Sequence, residues 1–308
     1  MLRVGFLGCG ETATQRARSM RALGEEMQPL FEFVAACDLV PAKSAHFAAC
    51  FGGKPYSSVN RMLGEANLDA LVIATPPGAR GPAENAALAA GVALWIEPPV
   101  AATIRTANAL ALQIKKSGLP VMVCAPHRYS PELERLKRVL AGKAAPHFER
   151  WHGDLSAALI KTAWRDEAKH GSLWLDGGWP LLDLLRFLGL EAGKLSAKSN
   201  PQAGVAALEL RGGALASLGV SRYEAPREIL TARSQSAGLQ LENWTARPHI
   251  ELRLGSETTL WQSDDAVHLQ LLAFARLLSQ GKRTENRSPL PDALLTLKLA
   301  LELGKSRV

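Results

Sequence analysis

Residues 2–13 read LRVGFLGCGETA. The apolar run LRVGFL has the composition of a buried strand, and ETATQRARSMRAL after it places Ala13, Ala17, Met20 and Leu23 near one face of a helix. Between them lies Gly8-x-Gly10-x-x-Ala13. Gly8 permits the tight turn, Gly10 lets the backbone approach a pyrophosphate, and Ala13 lets the helix pack close to the strand. The N–H groups at the helix start, around Glu11 and Thr12, and the positive end of the helix dipole attract phosphate. An ordinary glycine turn shares the spacing, but the strand–turn–helix context favours a dinucleotide site.

Outward from this turn, strand and helix patterns alternate. FEFVAACD, LDALVIATPP, VALWIEPP and PVMVCAPH read as strands; PAKSAHFAACFG, GPAENAALAAG and TIRTANALALQIKKSG read as helices. Such alternation predicts a doubly wound parallel sheet with crossover helices, a Rossmann domain over residues 1–125. After residue 130 come a helix at SPELERLKRVLAG and an apolar helix at WPLLDLLRFLG. The strand-like runs AGVAALELR, ALASLGVSRY, REILTARS, HIELRLG and ETTLWQS follow, and two helices close the chain. Consecutive strands on short turns predict an α+β domain over 126–308 with a large open, mostly antiparallel sheet.

Several residues fall where such sheets bind ligands. Asp38 ends the second strand, where a carboxylate accepts hydrogen bonds from the adenosine ribose and repels a 2′-phosphate; NAD is therefore expected over NADP. A helix N-cap is the alternative role for Asp38, and Lys43 is the alternative phosphate partner if NADP binds. Thr75 and Pro76 end the third strand, and Glu97 and Pro98 end the fourth, all at the carboxyl edge.

The bulk composition narrows the class. The 308 residues are 47% hydrophobic and 21% charged, with net charge +7. No apolar run spans a membrane and no cleavable signal precedes the first strand, so a cytoplasmic protein is expected. The positive charges are scattered, which suits an anionic metabolite or dinucleotide and gives no nucleic-acid signature. Of the four cysteines, Cys9, Cys37, Cys50 and Cys124, no two form a C-x-x-C pair; buried free thiols are expected and no metal site is.

The combination of GFLGCG, ACD, IATPP with ALAAG, EPP, HRYSP, DGGWPLLD and the closing helices resembles the Gfo/Idh/MocA family of NAD(P)-dependent oxidoreductases. The resemblance implies a Rossmann domain followed by an α/β domain whose open sheet pairs protomers into a homodimer or homotetramer. It implies sugars, polyols and related carbonyl compounds as usual substrates. The family's Glu-Lys-Pro motif reads here Glu97, Pro98, Pro99, and its turn usually holds a cis bond before the last proline. Its Asp-x-Gly-x-His-x-x-Asp motif reads Asp176, Gly177, Gly178, Trp179, Pro180, Leu181, Leu182, Asp183. A further family histidine is matched by Arg80.

Proline has no titratable group, so both usual proton-handling positions are silent. General acid–base help is worth ~10²–10⁴ in rate, or about 3–5 kcal/mol of barrier. Asp176 is the motif's remaining candidate proton carrier, with a cap or salt bridge as its structural alternative. His127 and Arg128 leave the fifth strand and are candidate catalytic residues. Arg128 could hold a substrate carboxylate; for both, an interdomain hydrogen bond is the alternative. Lys169 and His170 are either a displaced acid–base pair or part of a solvated loop. Trp179 suggests a flat apolar pocket. Two functions remain open: a reductase of a small carbonyl, imine or conjugated substrate, anionic or planar, that works without the usual base, as the resemblance implies for bilin-reducing members; or a catalytically silent dinucleotide-binding sensor or assembly subunit.

Overall fold

The computed structural model describes residues 1–157, 163–222, 224–281 and 285–305. The chain divides into two compact units, one of residues 1–124 and 270–294, the other of residues 125–269 and 295–308.

The first unit contains β1 (Leu2–Leu7), α1 (Glu11–Glu26), β2 (Phe31–Cys37), α2 (Pro41–Phe51), β3 (Lys54–Tyr56), α3 (Val59–Glu65), β4 (Ala70–Ile73), α4 (Pro82–Ala89), β5 (Ala93–Ile96), α5 (Ile104–Ser117) and β6 (Val121–Val123). Its six-stranded sheet runs β3-β2-β1-β4-β5-β6, parallel throughout. β4 and β5 are buried at every position, as expected of strands covered on both faces. α5 shows why its segment is helical: Thr103 accepts a hydrogen bond from the Thr106 N–H at the start, Lys115 and Lys116 occupy the last turn, and Gly118 ends it in the left-handed region at φ 66°. β3 and α3 were not expected from the sequence. β3 is the three residues KPY, with only Tyr56 buried, too short and polar for a periodic signal. Ser58 caps α3 by accepting from the Arg61 N–H.

The second unit contains α6 (Pro131–Ala141), β7 (Arg150–Ala157), α7 (Ala163–Asp166), α8 (Leu173–Asp176), α9 (Trp179–Phe187), β8 (Ala192–Ser199), β9 (Ala203–Leu210), β10 (Leu215–Arg222), β11 (Arg227–Arg233), β12 (Ala237–Glu242), β13 (His249–Leu254) and β14 (Glu257–Gln262). The eight strands lie in the order β14-β13-β12-β11-β7-β10-β9-β8. Every pair is antiparallel except β7 with β10, so the sheet is mostly antiparallel as expected. β7, β8 and β12 are additions to the expected strands. β7, RWHGDLSA, mixes charges with a mid-strand glycine and reads poorly as a strand, yet it is central. Gly153 explains the glycine: a Cβ there would lie 2.9 Å from the Leu181 side chain of α9.

The registers sort residues onto two faces. Leu208, Ala216, Trp151, Ala232, Leu239 and Leu252 run strand to strand across one buried row. Ala207, Ser217, His152, Thr231, Gln240, Glu251 and Leu260 form the neighbouring row on the opposite face. That face is open: Val205, Leu215 and Leu260 are about three-fifths exposed, at 64%, 59% and 61%. It carries a groove of about 790 Å³ flanked by Arg150, Arg233 and Lys194.

The compact units change over between residues 124 and 125, and the second unit is not one continuous stretch. Of α10 (Ala266–Gln280) and α11 (Leu290–Leu303), residues 270–294 return to the first unit. The cause is the exposed edge of β6. The Ser288 carbonyl accepts from the Val123 N–H at 3.0 Å. Gln270 and Ser288 side chains donate to the Val123 carbonyl at 2.8 and 2.6 Å, and Asn286 donates to that of Val121 at 2.8 Å. A returning segment thus pairs the edge that the sheet leaves open. Phe274 packs edge-on against Trp95, with centroids 5.3 Å apart and both side chains fully buried.

Cys9, Cys37 and Cys124 are buried free thiols as expected, whereas Cys50 is exposed on α2 because its helix turns that face to solvent. Among the described residues no helix is long and apolar enough to cross a membrane, and no group of three or more His, Cys, Asp or Glu gathers to hold a metal ion.

Phe274→Ala removes the ring that anchors the returning segment to β5. It should cost about 3–5 kcal/mol of unfolding free energy, read as a lower urea midpoint at constant m; an unchanged midpoint would show that residues 270–294 contribute nothing to the first unit.

Candidate functional site

The glycine turn sits between the ends of β1 and β4. Gly8 has φ +84°, and a Cβ there would lie 2.9 Å from the Ala74 carbonyl and the Thr75 nitrogen, so only glycine lets the two strand ends approach this closely. A Cβ on Gly10 would meet nothing within 4 Å; the space in front of the turn is open. Ala13 is fully buried against the sheet, and Glu11 and Thr12 are exposed on the first turn of α1. No side chain caps α1, so its first N–H groups face an acceptor from outside the helix. Thr75 and Pro76 are partly exposed beyond β4. This arrangement fits a dinucleotide.

Asp38 is held at the turn itself. Its Oδ2 accepts from the Cys9 N–H and its Oδ1 from the Val40 N–H, both at 2.8 Å. The cap position of α2 is Val40, with no side-chain cap, so Asp38 forms a local turn and is not the helix cap. Burial, then the charge of Asp38, pushes the Cys9 thiol up to about 12, which keeps it an inert neutral group in the turn.

Glu97 lies at the end of β5 and is 4% exposed. Its Oε1 accepts from Arg16 Nε at 2.6 Å and from Trp95 Nε1 at 2.7 Å. Arg16 also donates to Cys124 Sγ at 2.9 Å and stacks over the Trp95 ring. The Glu97 carboxylate therefore faces inward and holds α1 to the sheet. Pro98 is partly exposed beyond it, and the Pro98–Pro99 bond is cis. Arg80 is buried and donates to the Ile73 carbonyl at 3.2 Å and the Glu97 carbonyl at 2.8 Å, joining the ends of β4 and β5. Arg16 was not singled out from the sequence. The available signal was an arginine on the alanine-rich face of α1, beside Ala13, Ala17 and Met20.

In the second unit His127 and Arg128 lie in the turn Pro126–Tyr129 and meet Asp183 of α9. Arg128 grips Asp183 with two parallel hydrogen bonds, Nε to Oδ2 at 2.8 Å and Nη2 to Oδ1 at 2.9 Å. Thr296 donates to Oδ1 at 2.6 Å. Burial alone would raise the Asp183 carboxyl, but the close approach of His127 and the paired hydrogen bonds and charge of Arg128 hold it well below the usual range. Burial pushes His127 below its ordinary 6.5 despite Asp183 beside it, so the ring is neutral at pH 7 and Arg128 carries the charge that fixes Asp183. His127 Nε2 is 2.9 Å from Asp183 Oδ2 without the alignment of a hydrogen bond, and Nδ1 has no partner. Both residues thus meet Asp183 within their own unit. Arg128 is 5% exposed and its fork is spent on Asp183.

Asp176 is not brought together with His127 or Arg128 by any direct bond. It ends α8 and pairs through Oδ2 with Arg165 at 3.1 Å and Arg222 at 3.3 Å. Lys169 is exposed and pairs with Glu167 at 2.6 Å, as a solvated loop residue would. Trp179 is 3% exposed in the core, which corrects the expectation that it lines a flat pocket; α9 turns it inward with Leu182 and the helix's other apolar residues. Pro180 occupies the first turn of α9, where a missing N–H costs no helical bond.

Residues 2–125 match the Gfo/Idh/MocA family, described as an oxidoreductase family with an NAD-binding Rossmann fold. The whole chain is similar to the dTDP-3,4-didehydro-2,6-dideoxy-alpha-D-glucose 3-reductase of Saccharopolyspora spinosa, at 24% identity over 95% of this chain and 92% of that protein. An uncharacterized oxidoreductase of Escherichia coli is 30% identical over 41% of this chain and 38% of its own length. The chain spans less than half the length of several curated relatives it matches, at 44%, 38% and 40%. Its fold is that of the Actinomadura kijaniata 3-ketoreductase solved with NADP and TDP-benzene: TM-score 0.83, 19% identity, 99% of this chain and 98% of the other. The UDP-N-acetylglucosamine 3-dehydrogenase of Acidithiobacillus ferrooxidans superposes with a TM-score of 0.79 at 19% identity, over 99% and 97% of the chains.

His127 sets a pH dependence. Its folded pKa lies below its unfolded one, so below about pH 6.5 the unfolded chain binds a proton that the folded chain resists. Its contribution to stability is present above the unfolded pKa and is lost as pH falls. Urea midpoints should therefore drop from pH 7 to pH 5, and His127→Gln should flatten that drop; an identical slope in the variant would refute the assignment.

Proposed function

We propose that this chain is an NAD(P)-dependent oxidoreductase of the Gfo/Idh/MocA type that reduces a small electrophilic carbonyl, imine or conjugated substrate, and is not a sugar or polyol dehydrogenase. The observation that carries this reading is the silence of the two proton-handling positions: Pro98 and Pro180 hold no ionisable group, while Glu97, Arg128 and Asp183 are locked in buried ion pairs. Oxidising an alcohol requires a base to take the hydroxyl proton. Reducing an activated double bond requires a hydride, which the nicotinamide supplies, and a proton that water or Asp176 can deliver. Two of the similar proteins are named as reductases, which supports the direction.

The chain's own residues then have limited tasks. Gly8, Gly10 and the first turn of α1, through Glu11, Thr12 and Ala13, hold the pyrophosphate. Thr75, Pro76 and Pro98 border the nicotinamide half. Glu97 shapes that wall without touching the reaction. Asp38 accepts the ribose hydroxyls and makes NAD the preferred cofactor, although a similar protein carries NADP. Asp176 is the candidate proton carrier, and His127 with Arg128 fixes α9 through Asp183. A silent dinucleotide-binding sensor is the second reading, favoured by the same locked carboxylates. We also propose that the open face of the eight-stranded sheet pairs two or four protomers. Exposed Val205, Leu215 and Leu260 supply the apolar contacts, and light scattering should give more than 33.1 kDa.

The test has two arms. Stopped absorbance at 340 nm with NADH and a panel of activated carbonyl and imine compounds should show turnover, whereas sugars, inositols and polyols with NAD should show none. Ready polyol oxidation by the unmodified protein would sink the reading, and binding without any turnover would favour the sensor. Asp38→Ser should cut the NADH advantage over NADPH by about tenfold or more, as expected for losing a charged hydrogen-bond acceptor. Equal ratios before and after would remove Asp38 from the ribose role.

A further inference from the structure

We propose that the groove on the open face of the eight-stranded sheet binds a small polyanion at Arg150 and Arg233, and that this anion tightens the pairing of protomers through that face. The polyanion is a molecule with two or more clustered carboxylate or phosphate groups. This rests on the protomer pairing proposed above and adds the ligand that controls it.

The strand register sets like charges side by side. Arg150 of β7 and Arg233 of β11 are direct cross-strand partners. The same row continues through Gly238 of β12 to Arg253 of β13. A Cβ on Gly238 would lie 3.5 Å from Nε and Nη2 of Arg253, so that guanidinium lies over the glycine separating it from Arg233. Like charges directly opposite on adjacent strands repel. Among the described residues, neither the Arg150 nor the Arg233 side chain has an acidic partner or a hydrogen bond. The residues outside the described ranges include no Asp or Glu. Arg253 donates to the Gly255 carbonyl at 3.1 Å, which leaves its charge unanswered.

The acids of the same face do not balance the row. On the strands that carry it, the outward acids are Asp154, Glu209, Glu242 and Glu251. Asp154 pairs with Arg227 at 3.4 Å, and Glu209 with Lys194 at 3.3 Å. Glu242 and Glu251 remain for Arg150, Arg233, Arg253 and Lys198, so basic charge is in excess. In water that excess is harmless. Pairing two such faces takes it out of water, and a charge removed from water without a counter-ion is costly. A second copy of the chain cannot supply the missing acids, because it brings the same excess with it. A bound anion can.

The groove fits such a ligand. Its volume of about 790 Å³ is that of a small-molecule site, and Arg150 and Arg233 border it. Leu195, Ala207 and Leu215 give it apolar walls. Ser217 and Thr231 offer hydroxyls in the next row, where Ser217 Oγ lies 2.9 Å from His152 Nδ1. Each guanidinium is planar and always charged, and presents a fork that matches a carboxylate or phosphate. Two forks on neighbouring strands therefore take two anionic groups of one molecule, where a single carboxylate answers only one.

Light scattering of the full-length protein across a concentration series, with millimolar citrate, pyrophosphate or acetate at ionic strength matched by sodium chloride, tests this. Citrate or pyrophosphate should lower the protein concentration at half-pairing by about tenfold or more, as expected for satisfying charged hydrogen-bonding groups. Acetate, with one carboxylate, should not. A response to citrate alone assigns a carboxylate ligand, and a response to pyrophosphate alone a phosphate. The double variant Arg150→Gln, Arg233→Gln should pair tightly in chloride and no longer respond to either polyanion. Both side chains are exposed, so the double variant leaves the core untouched. Arg61→Gln on α3 lowers the net charge away from the sheet and should respond as the wild type does. The proposal is overturned if neither polyanion shifts the midpoint, if acetate shifts it as far, or if the double variant responds as the wild type does. A protein that binds citrate in a calorimeter yet stays at 33.1 kDa throughout would instead overturn the pairing reading, and the regulation proposed here with it.

Discussion

The buried pair of Arg16 and Glu97 is the constraint on which the carboxyl edge of the first sheet depends. Their 2.6 Å contact joins the dinucleotide helix to the end of β5, and Trp95 and Cys124 complete the set of partners. Neither charge can be left alone in that environment; removing one partner of a buried pair costs about 3–5 kcal/mol. The consequence is geometric. α1 cannot slide along the sheet without breaking the pair, so the turn at Gly8 and Gly10 stays in register with Pro98. Arg80 repeats the device with neutral acceptors, tying the carbonyls of Ile73 and Glu97. The ends of β4 and β5 are thus held by contacts made within the protein.

The same principle governs the second unit with a different result. Asp183 accepts from Arg128 and Thr296 and is fully compensated. It orders the turn Pro126–Tyr129 against α9 and has no capacity left for a ligand. Asp176 pairs through one oxygen with Arg165 and Arg222. Two aspartates seven residues apart, one ending α8 and the other inside α9, are thus held by different arginines. Spacing alone could not separate them, because the difference lies in which arginines the sheet and the turn deliver.

The dinucleotide turn was legible in the sequence because its chemistry is local. Gly8, Gly10 and Ala13 are read within one strand–turn–helix, and the structure places them as the physics of that turn requires. Asp38 was legible as an acid at a strand end, and its grip on the Cys9 N–H explains why it sits at the turn despite a longer link. What was not legible depends on distant partners. Nothing near residue 16 announces Glu97. Nothing in RWHGDLSA announces a central strand, since its fitness comes from Leu181 seated over Gly153. The return of residues 270–294 to the first unit answers the open edge of β6, a demand made far earlier in the chain. Trp179 was misread for the same reason: an aromatic beside a motif says nothing of which way its helix turns.

The two prolines sit where the backbone asks least of them. Pro98 stands where a strand has already ended, so no sheet hydrogen bond is lost with its N–H. Pro180 stands in the first turn of α9, where that N–H has no helical acceptor. At both places proline is among the least disruptive residues the backbone could accept. A chain that had merely lost its catalytic groups by drift would be free to lose the surrounding packing as well. Here the buried pair beneath Pro98 and the fully compensated Asp183 beneath Pro180 are intact. Both prolines therefore stand on packing that is satisfied within the protein, which is the rigid support that the proposed hydride transfer without a resident base would need.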